Sequence, residues 1–271
     1  MKIFNALVLV ASVAGCAPPP NRYIPPPRVQ TSSAISAPSW CDQLLKQAPP
    51  PVPIVDLFNR VRGLRLKPKA ELETTAVYSE RAESALKSLE PWLSKTSGTD
   101  HVVVLMEIYG EYNADSQVFS STRFDYASDS FLDKDLKAYD YLFLPITEQR
   151  RNAGGYVGSN AFGVRRNVQS VIAESYGLAL VEQRNTSGWV WENRKISASV
   201  PLDRAKATGG KFGVLIIGDL VPPGALEGDR HYAATIDDPV EVTRNKHYVT
   251  IRSACAGLVT LKDRELVKPL N

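Results

Sequence analysis

The chain has 271 residues, 44% of them apolar, and sets 32 Lys and Arg against 29 Asp and Glu for a formal net charge of +3. That length allows one domain, or two small ones, with a core large enough to stand alone. The near-even charge balance excludes the basic field that nucleic-acid binders need, and no internal repeat is present.

Met1, Lys2 and Ile3 lead into the run Phe4 to Val13, which is apolar apart from Asn5 and Ser12. One positive charge followed by a short apolar stretch is the layout of a secretory signal peptide. The run is well short of the roughly 20 apolar residues that cross a bilayer as a helix. Val13, Ala14 and Gly15 then precede Cys16. This stretch resembles the lipobox of bacterial lipoproteins, a resemblance that ends at Ala17 and carries no fold. It implies that residues 1–15 are removed and that Cys16 receives a diacylglycerol thioether. It also implies that the new amine takes a further acyl chain such as palmitate, so that the membrane is a partner through the anchor. Several acyl chains hold far more firmly than one, since each buried methylene adds about 0.8 kcal/mol. In that family an Asp after the Cys retains the protein in the inner membrane. Ala17 therefore implies the outer membrane, with the domain in the periplasm and the inner membrane or the cell surface as the other addresses.

From Cys16 to Pro53 the prolines fall at Pro18–Pro20, Pro25–Pro27, Pro38, Pro49–Pro51 and Pro53, among Ser, Thr, Gln and Asn. Such a segment buries too little apolar surface to fold, and its prolines stiffen it toward an extended conformation. At about 3.1 Å per residue this tether reaches roughly 100 Å when fully extended. Trp40, Cys41, Leu44 and Leu45 are expected to form a short helical turn that packs back on a globular domain spanning 54–271. Once Cys16 is lipidated, Cys41 and Cys255 are a candidate disulfide pair in an oxidising compartment. Closing so long a loop contributes roughly 4 to 5 kcal/mol in the chain-entropy treatment.

Within the domain, Ile54, Leu57, Phe58 and Val61 recur at helical spacing, and Gly63 stops the helix. A second helix is expected within Pro68–Leu93, with Ala82, Leu86, Leu89 and Leu93 on one face and Pro91 bending or ending it. Strands follow at Val102–Tyr109, Val118–Phe124, Tyr139–Pro145, Val168–Ala173, Ala179–Gln183 and Trp189–Val200. Others are expected at Phe212–Gly218, Tyr232–Ile236, Glu241–Ile251 and Leu258–Leu261, with one short helix at Pro201–Thr208. Helices lead and strands follow, without the alternation of a parallel sheet. The expected class is α+β, with N-terminal helices packed on a mostly antiparallel β domain.

The residues that carry chemistry are scattered. His101, His231 and His247 have no His or Cys at ligand spacing, so no metal or cofactor is expected. Asp125, Asp129, Asp133, Asp135 and Asp140 lack the alternating oxygen ligands and turn glycine of a calcium loop. Ser159 stands in a glycine-rich stretch, Gly154 to Gly163, that is neither a nucleophile elbow nor a phosphate loop, and is read as a tight turn between strands. If that turn closes a hairpin, the flanking Arg150, Arg151, Arg165 and Arg166 converge into a reader of phosphate, lipid headgroup or carboxylate. Trp189 and Trp191, two apart, share one face of a strand as an aromatic platform or a core face. Asp237 and Asp238, before Pro239, are read as a turn, since adjacent strand residues point to opposite faces. The function expected is a non-catalytic, membrane-anchored binding or assembly module of the cell envelope with an envelope protein as partner. The alternative is a lipid-anchored hydrolase of peptidoglycan or an envelope ester, working through Ser159 or the carboxylates at Asp237.

Overall fold

Two apolar runs far apart in the sequence lie side by side: β1 (Val102–Ile108) pairs antiparallel with the start of β7 (Phe212–Tyr232), from Val102 opposite Gly218 to Ile108 opposite Phe212. The computed structural model describes residues 39–121, 141–159, 162–181 and 195–270. Its main sheet has the order β1, β7, β8 (Val240–Thr260), β5 (Arg165–Val181), β4 (Tyr141–Ser159), with β9 (Leu266–Pro269) joined to the end of β8. Every pairing is antiparallel except β5 with β8, which run parallel from Gln169 opposite Val240 to Leu180 opposite Ile251. A second, three-stranded sheet is made by β2 (Gly110–Asn113), β3 (Val118–Ser121) and β6 (Ser197–Ser199). Strands dominate and helices are few, so the class is α+β.

Helices cover both faces of the main sheet at one end. On one face, α2 (Ile54–Gly63) turns Ile54, Leu57, Phe58 and Val61 inward. Beside it, α3 (Thr75–Lys87) and α4 (Glu90–Ser97) bury Ala82, Leu86 and Leu93. All of these but Ala82 share one core with Val102, Val104, Val214, Ile216, Val249 and Ile251. The expected single helix over Pro68–Leu93 is two helices. Thr74 caps the first through the Val77 N–H, and Ser88 ends it by donating to the Ala85 carbonyl at 2.6 Å. Pro91 opens the next helix instead of closing the last, because a first-turn position has no N–H to lose.

On the other face, α1 (Ser39–Gln47) lays Cys41 and Leu45 on Val103, Leu215, Ile217 and Val259. A disulfide joins Cys41 to Cys255 with 6.1 Å between their Cα atoms. The start of β7 is therefore buried from both sides, and Leu215, Ile216 and Ile217 are completely inaccessible. Each contributes about 1.5–3 kcal/mol by burial. A fifth helix, α5 (Leu202–Ala207), buries Ala205 in the same core as Phe212 and Phe119.

The strands run much further than the sequence signals indicate. β5 is one strand across both Val168–Ala173 and Ala179–Val181, and β8 is one strand across Glu241–Ile251 and Leu258–Thr260. β4 takes in Gly154–Ser159, the first part of the glycine-rich stretch, and the expected turn between strands falls at its end, with Phe162 and Gly163 (φ 79°) ahead of β5 at Arg165. The glycines permit a bulge after Asn152, where Gly154 takes a φ of 107° and gives its N–H to the Asn152 side chain at 2.8 Å. β7 likewise continues past Pro222, Pro223 and Gly224 by looping out four residues between Leu220 and Ala225. Buried Thr250 holds that loop, donating to the Val221 carbonyl at 2.5 Å and accepting from the Gly224 N–H at 2.7 Å. Gly224 has a φ of 86°, and a Cβ there would meet Leu86 and Val61 at 3.0 Å, so glycine lets the helices close on the loop. The strand expected at Tyr232–Ile236 ends at Tyr232, because Thr235 accepts the Asp238 N–H and folds residues 235–238 into a turn.

Candidate functional site

Past the row of Glu227, His247 and Tyr176, which still meets Phe58 and Arg62 of α2, the strands β7, β8, β5 and β4 continue as a four-stranded arm. From Ser175 to Arg165 the arm extends roughly 30 Å at about 3.3 Å per residue. Its side chains are mostly exposed or half-buried, in contrast to the same strands beneath the helices.

Residues paired across a sheet share a face, so the register sorts the arm's charges. One face, continuous with the α1 side, begins at an aromatic cluster of Phe143, Tyr248 and Tyr141 with Leu226 and Ala179. Above it lies a row of Gly228, Lys246, Ser175 and Glu148, then a row of Arg230, Arg244, Ala173 and Arg150. Arg230 and Arg244 are direct cross-strand neighbours, and both guanidinium groups lie by the Tyr232 ring, at 5.1 and 5.7 Å from its centre. Glu148 accepts from Arg150 Nε at 2.6 Å and stands 3.6 Å from Arg244 Nε. Arg165, opposite Ser159, adds a further cation toward the tip. We call this the basic face.

The opposite face, continuous with α2, carries Glu174, Glu227, Asp229 and Glu241. His247 Nε2 lies 2.7 Å from Glu174 Oε2, and Asn245 donates to the other Glu174 oxygen at 2.9 Å. The His247 ring is flanked by Tyr176 and Phe58, with Glu227 at 3.4 Å bridging in turn to Arg62. Burial raises the Glu174 carboxyl, but the hydrogen bonds from His247 and Asn245 and the charges of His247 and Arg151 outweigh it. Its pKa therefore lies below the usual value. Burial beside Glu174 and Glu227 pushes the Tyr176 phenol up. Further out, His231 lies between Glu241 at 3.4 Å and Thr243 at 3.3 Å. A hydrogen bond to Glu241 raises the Tyr156 phenol.

The four arginines singled out in the sequence do not converge. Arg150 and Arg151 are adjacent and point to opposite faces, as do Arg165 and Arg166. The first pair lies opposite Ala173 and Ile172, the second opposite Ser159 and Gly158, so they are separated by most of the arm's length. Arg150 joins Arg230 and Arg244 instead, three residues from three different strands. Period-two alternation at Arg230 and Tyr232, and at Arg244 and Lys246, was the available signal, but it needs the register to be read. Ser159 sits near the tip on the basic face, whereas His231 and His247 are on the other, so the hydrolase arrangement is not assembled from these residues. Asp237 and Asp238 lie in the turn joining β7 to β8. His101 meets Asp219 at 2.7 Å and stacks on Trp40, with ring centres 4.1 Å apart. Cys16, the acidic stretch Asp125–Asp140, Trp189 and Trp191 lie outside the described residues. Among the described residues no three His, Cys, Asp or Glu side chains are grouped to hold a metal ion, and no helix is long and apolar enough to cross a membrane.

Comparisons of the chain with protein-family models, curated proteins and solved structures found no match.

Proposed function

We propose that the protein is a lipoprotein of a bacterial envelope, anchored to the outer membrane through Cys16, whose domain binds or assembles another envelope component in the periplasm through its arm. The arm is the observation that carries this reading. Four strands extend well beyond the helix-covered core, where they bury little, and present two faces of opposite charge. A sheet kept for stability alone has no need of that extension, and charge segregated by face is how interfaces select orientation and partner. The lipobox resemblance at Cys16 and the proline-rich segment behind it support the anchor. The acidic face, with Glu174, Glu227, Asp229 and Glu241 around two histidines, is the side assigned to a protein partner.

In-cell photo-crosslinking tests this. Probes replacing Arg166 and Asp229, on that face of the arm, are expected to capture the same envelope protein, and a probe replacing Glu83, on exposed α3, is expected not to. Capture from Glu83 but not from the arm would overturn the reading. The mass of the N-terminal peptide of the mature protein tests the anchor separately: a diacylglycerol adduct on Cys16 is expected, and an unmodified thiol would refute it.

A further inference from the structure

We propose that the basic face of the arm is a docking surface for an anionic phospholipid bilayer. The first observation is the charge. Among the described residues this face of the arm carries Arg150, Arg165, Arg230 and Arg244, with Lys246 at its buried base, against the single carboxylate Glu148. Like charges directly opposite across two strands are unfavourable, yet Arg230 faces Arg244; both lie by the Tyr232 ring, and Glu148, which also pairs with Arg150, stands 3.6 Å from Arg244. An array that costs stability in the free protein is relieved by an external anion.

The shape decides which anion. Small anions are held in concave sites lined by convergent donors. Here the cations stand on a sheet face four strands across, and neighbouring strands are about 4.8 Å apart. An extended charged sheet meets an extended charged surface. Tyr232 and Val157, 40% and 63% exposed, lie on the same face as the arginines. Their placement suits the headgroup level of a bilayer, where amphipathic rings and guanidinium groups sit together.

The third observation is where the chain leads. The helix α1 packs on the same face of the sheet, through Leu45 and the Cys41–Cys255 disulfide. The first described residue, Ser39, opens that helix, so the described chain begins on the side of the basic face. With 22 residues between Cys16 and Ser39, the span is at most about 80 Å, so an anchored domain stays within that reach of the bilayer. That step rests on the lipid-anchor reading; the charge and the shape do not.

The test uses the mature, full-length protein on vesicles, with a fluorophore on Val157→Cys or, on the opposite face, on Asp229→Cys, and quenching by brominated lipid. Vesicles containing phosphatidylglycerol are expected to quench the probe at 157 and not the one at 229. Pure phosphatidylcholine vesicles are expected to quench neither, even where the anchor holds the protein on them. Arg150→Glu, Arg230→Glu and Arg244→Glu together should lower the affinity of the face for anionic vesicles by about tenfold or more. Arg151→Glu with Arg166→Glu, on the acidic face, should leave it unchanged. Thermal unfolding of both variants establishes that they fold; should the triple variant fail to, Arg150→Gln with Arg230→Gln replaces it. Equal quenching on neutral vesicles, quenching at 229, or retention of quenching in the folded triple variant would each overturn the proposal. Displacement by millimolar inorganic phosphate would also overturn it, pointing to a small-anion site instead of a surface. Failure of the anchor reads out differently, as loss of co-flotation with phosphatidylcholine vesicles while the anionic-vesicle result stands.

Discussion

The same four strands live two different lives. Under the helices, β7 and β8 are largely buried, from Phe212 to Gly218 and from Cys255 to Thr260, and their side chains there are mostly apolar. In the arm the strands keep their pairing, but Arg, Glu, Asp, His and Asn stand among the Val and Tyr side chains, mostly exposed or half-buried. Hydrogen bonding along the ladder is common to both regions, so the difference in stability comes from burial. The base supplies the free energy and sets the register; the arm inherits that register and spends its side chains on surface chemistry. Where the two meet, the looped-out Val221–Gly224 segment and Thr250 lock β7 against α2 and α3.

Six variants break or sharpen this contrast, each read by denaturant unfolding. The largest effect is expected from Cys41→Ser with Cys255→Ser, which frees α1 from β8 and should cost about 4 kcal/mol. A loss under about 1 kcal/mol would mean that α1 holds to the sheet without the link. Leu215→Ala, at a fully inaccessible site, should cost about 3 kcal/mol, while Val157→Ala in the arm should stay within about 0.5 kcal/mol of the parent. Thr250→Val removes both hydrogen bonds that hold the β7 loop, and about 2 kcal/mol should go with them.

The Glu174 carboxyl gives a smaller, pH-dependent effect. Its folded pKa is depressed below the ordinary 4.5. The stability it contributes is therefore present above that value and is lost as pH falls through the lower folded one. Glu174→Gln should flatten the acid limb of a stability–pH profile and leave its slope near neutrality alone; an unchanged acid limb would show that His247 and Asn245 do not favour the carboxylate. The smallest effect has the opposite sign. Arg230→Gln relieves the charge facing Arg244 and should stabilise by a few tenths of a kcal/mol at low salt, a gain that added salt removes.

Local periodicity made some of this legible in the sequence. Ile54, Leu57, Phe58 and Val61 mark α2 because a helix repeats within a few residues, and the run at Val102 marks β1 because few other elements are so apolar. What was not legible depends on pairing. Gly154, Gly155 and Gly158, with Pro222, Pro223 and Gly224, carry the composition of turns, and only a bulged partner strand makes them strand residues. The parallel match of β5 to β8 brings Arg150, Arg230 and Arg244 into one row from positions that no spacing rule connects. Glu174 and His247 meet across that same pair of strands.

The arm, in this reading, is the part of the molecule that is used. Amide hydrogen exchange of the lipidated protein in its native membranes, compared with the same protein in detergent, tests this most directly. Added protection is predicted in 147–159, 165–175, 225–232 and 240–247, with the amides of β1 and of the β7 segment beneath the helices unchanged. Protection confined to the helix-covered base, with the arm exchanging alike in both settings, would contradict it.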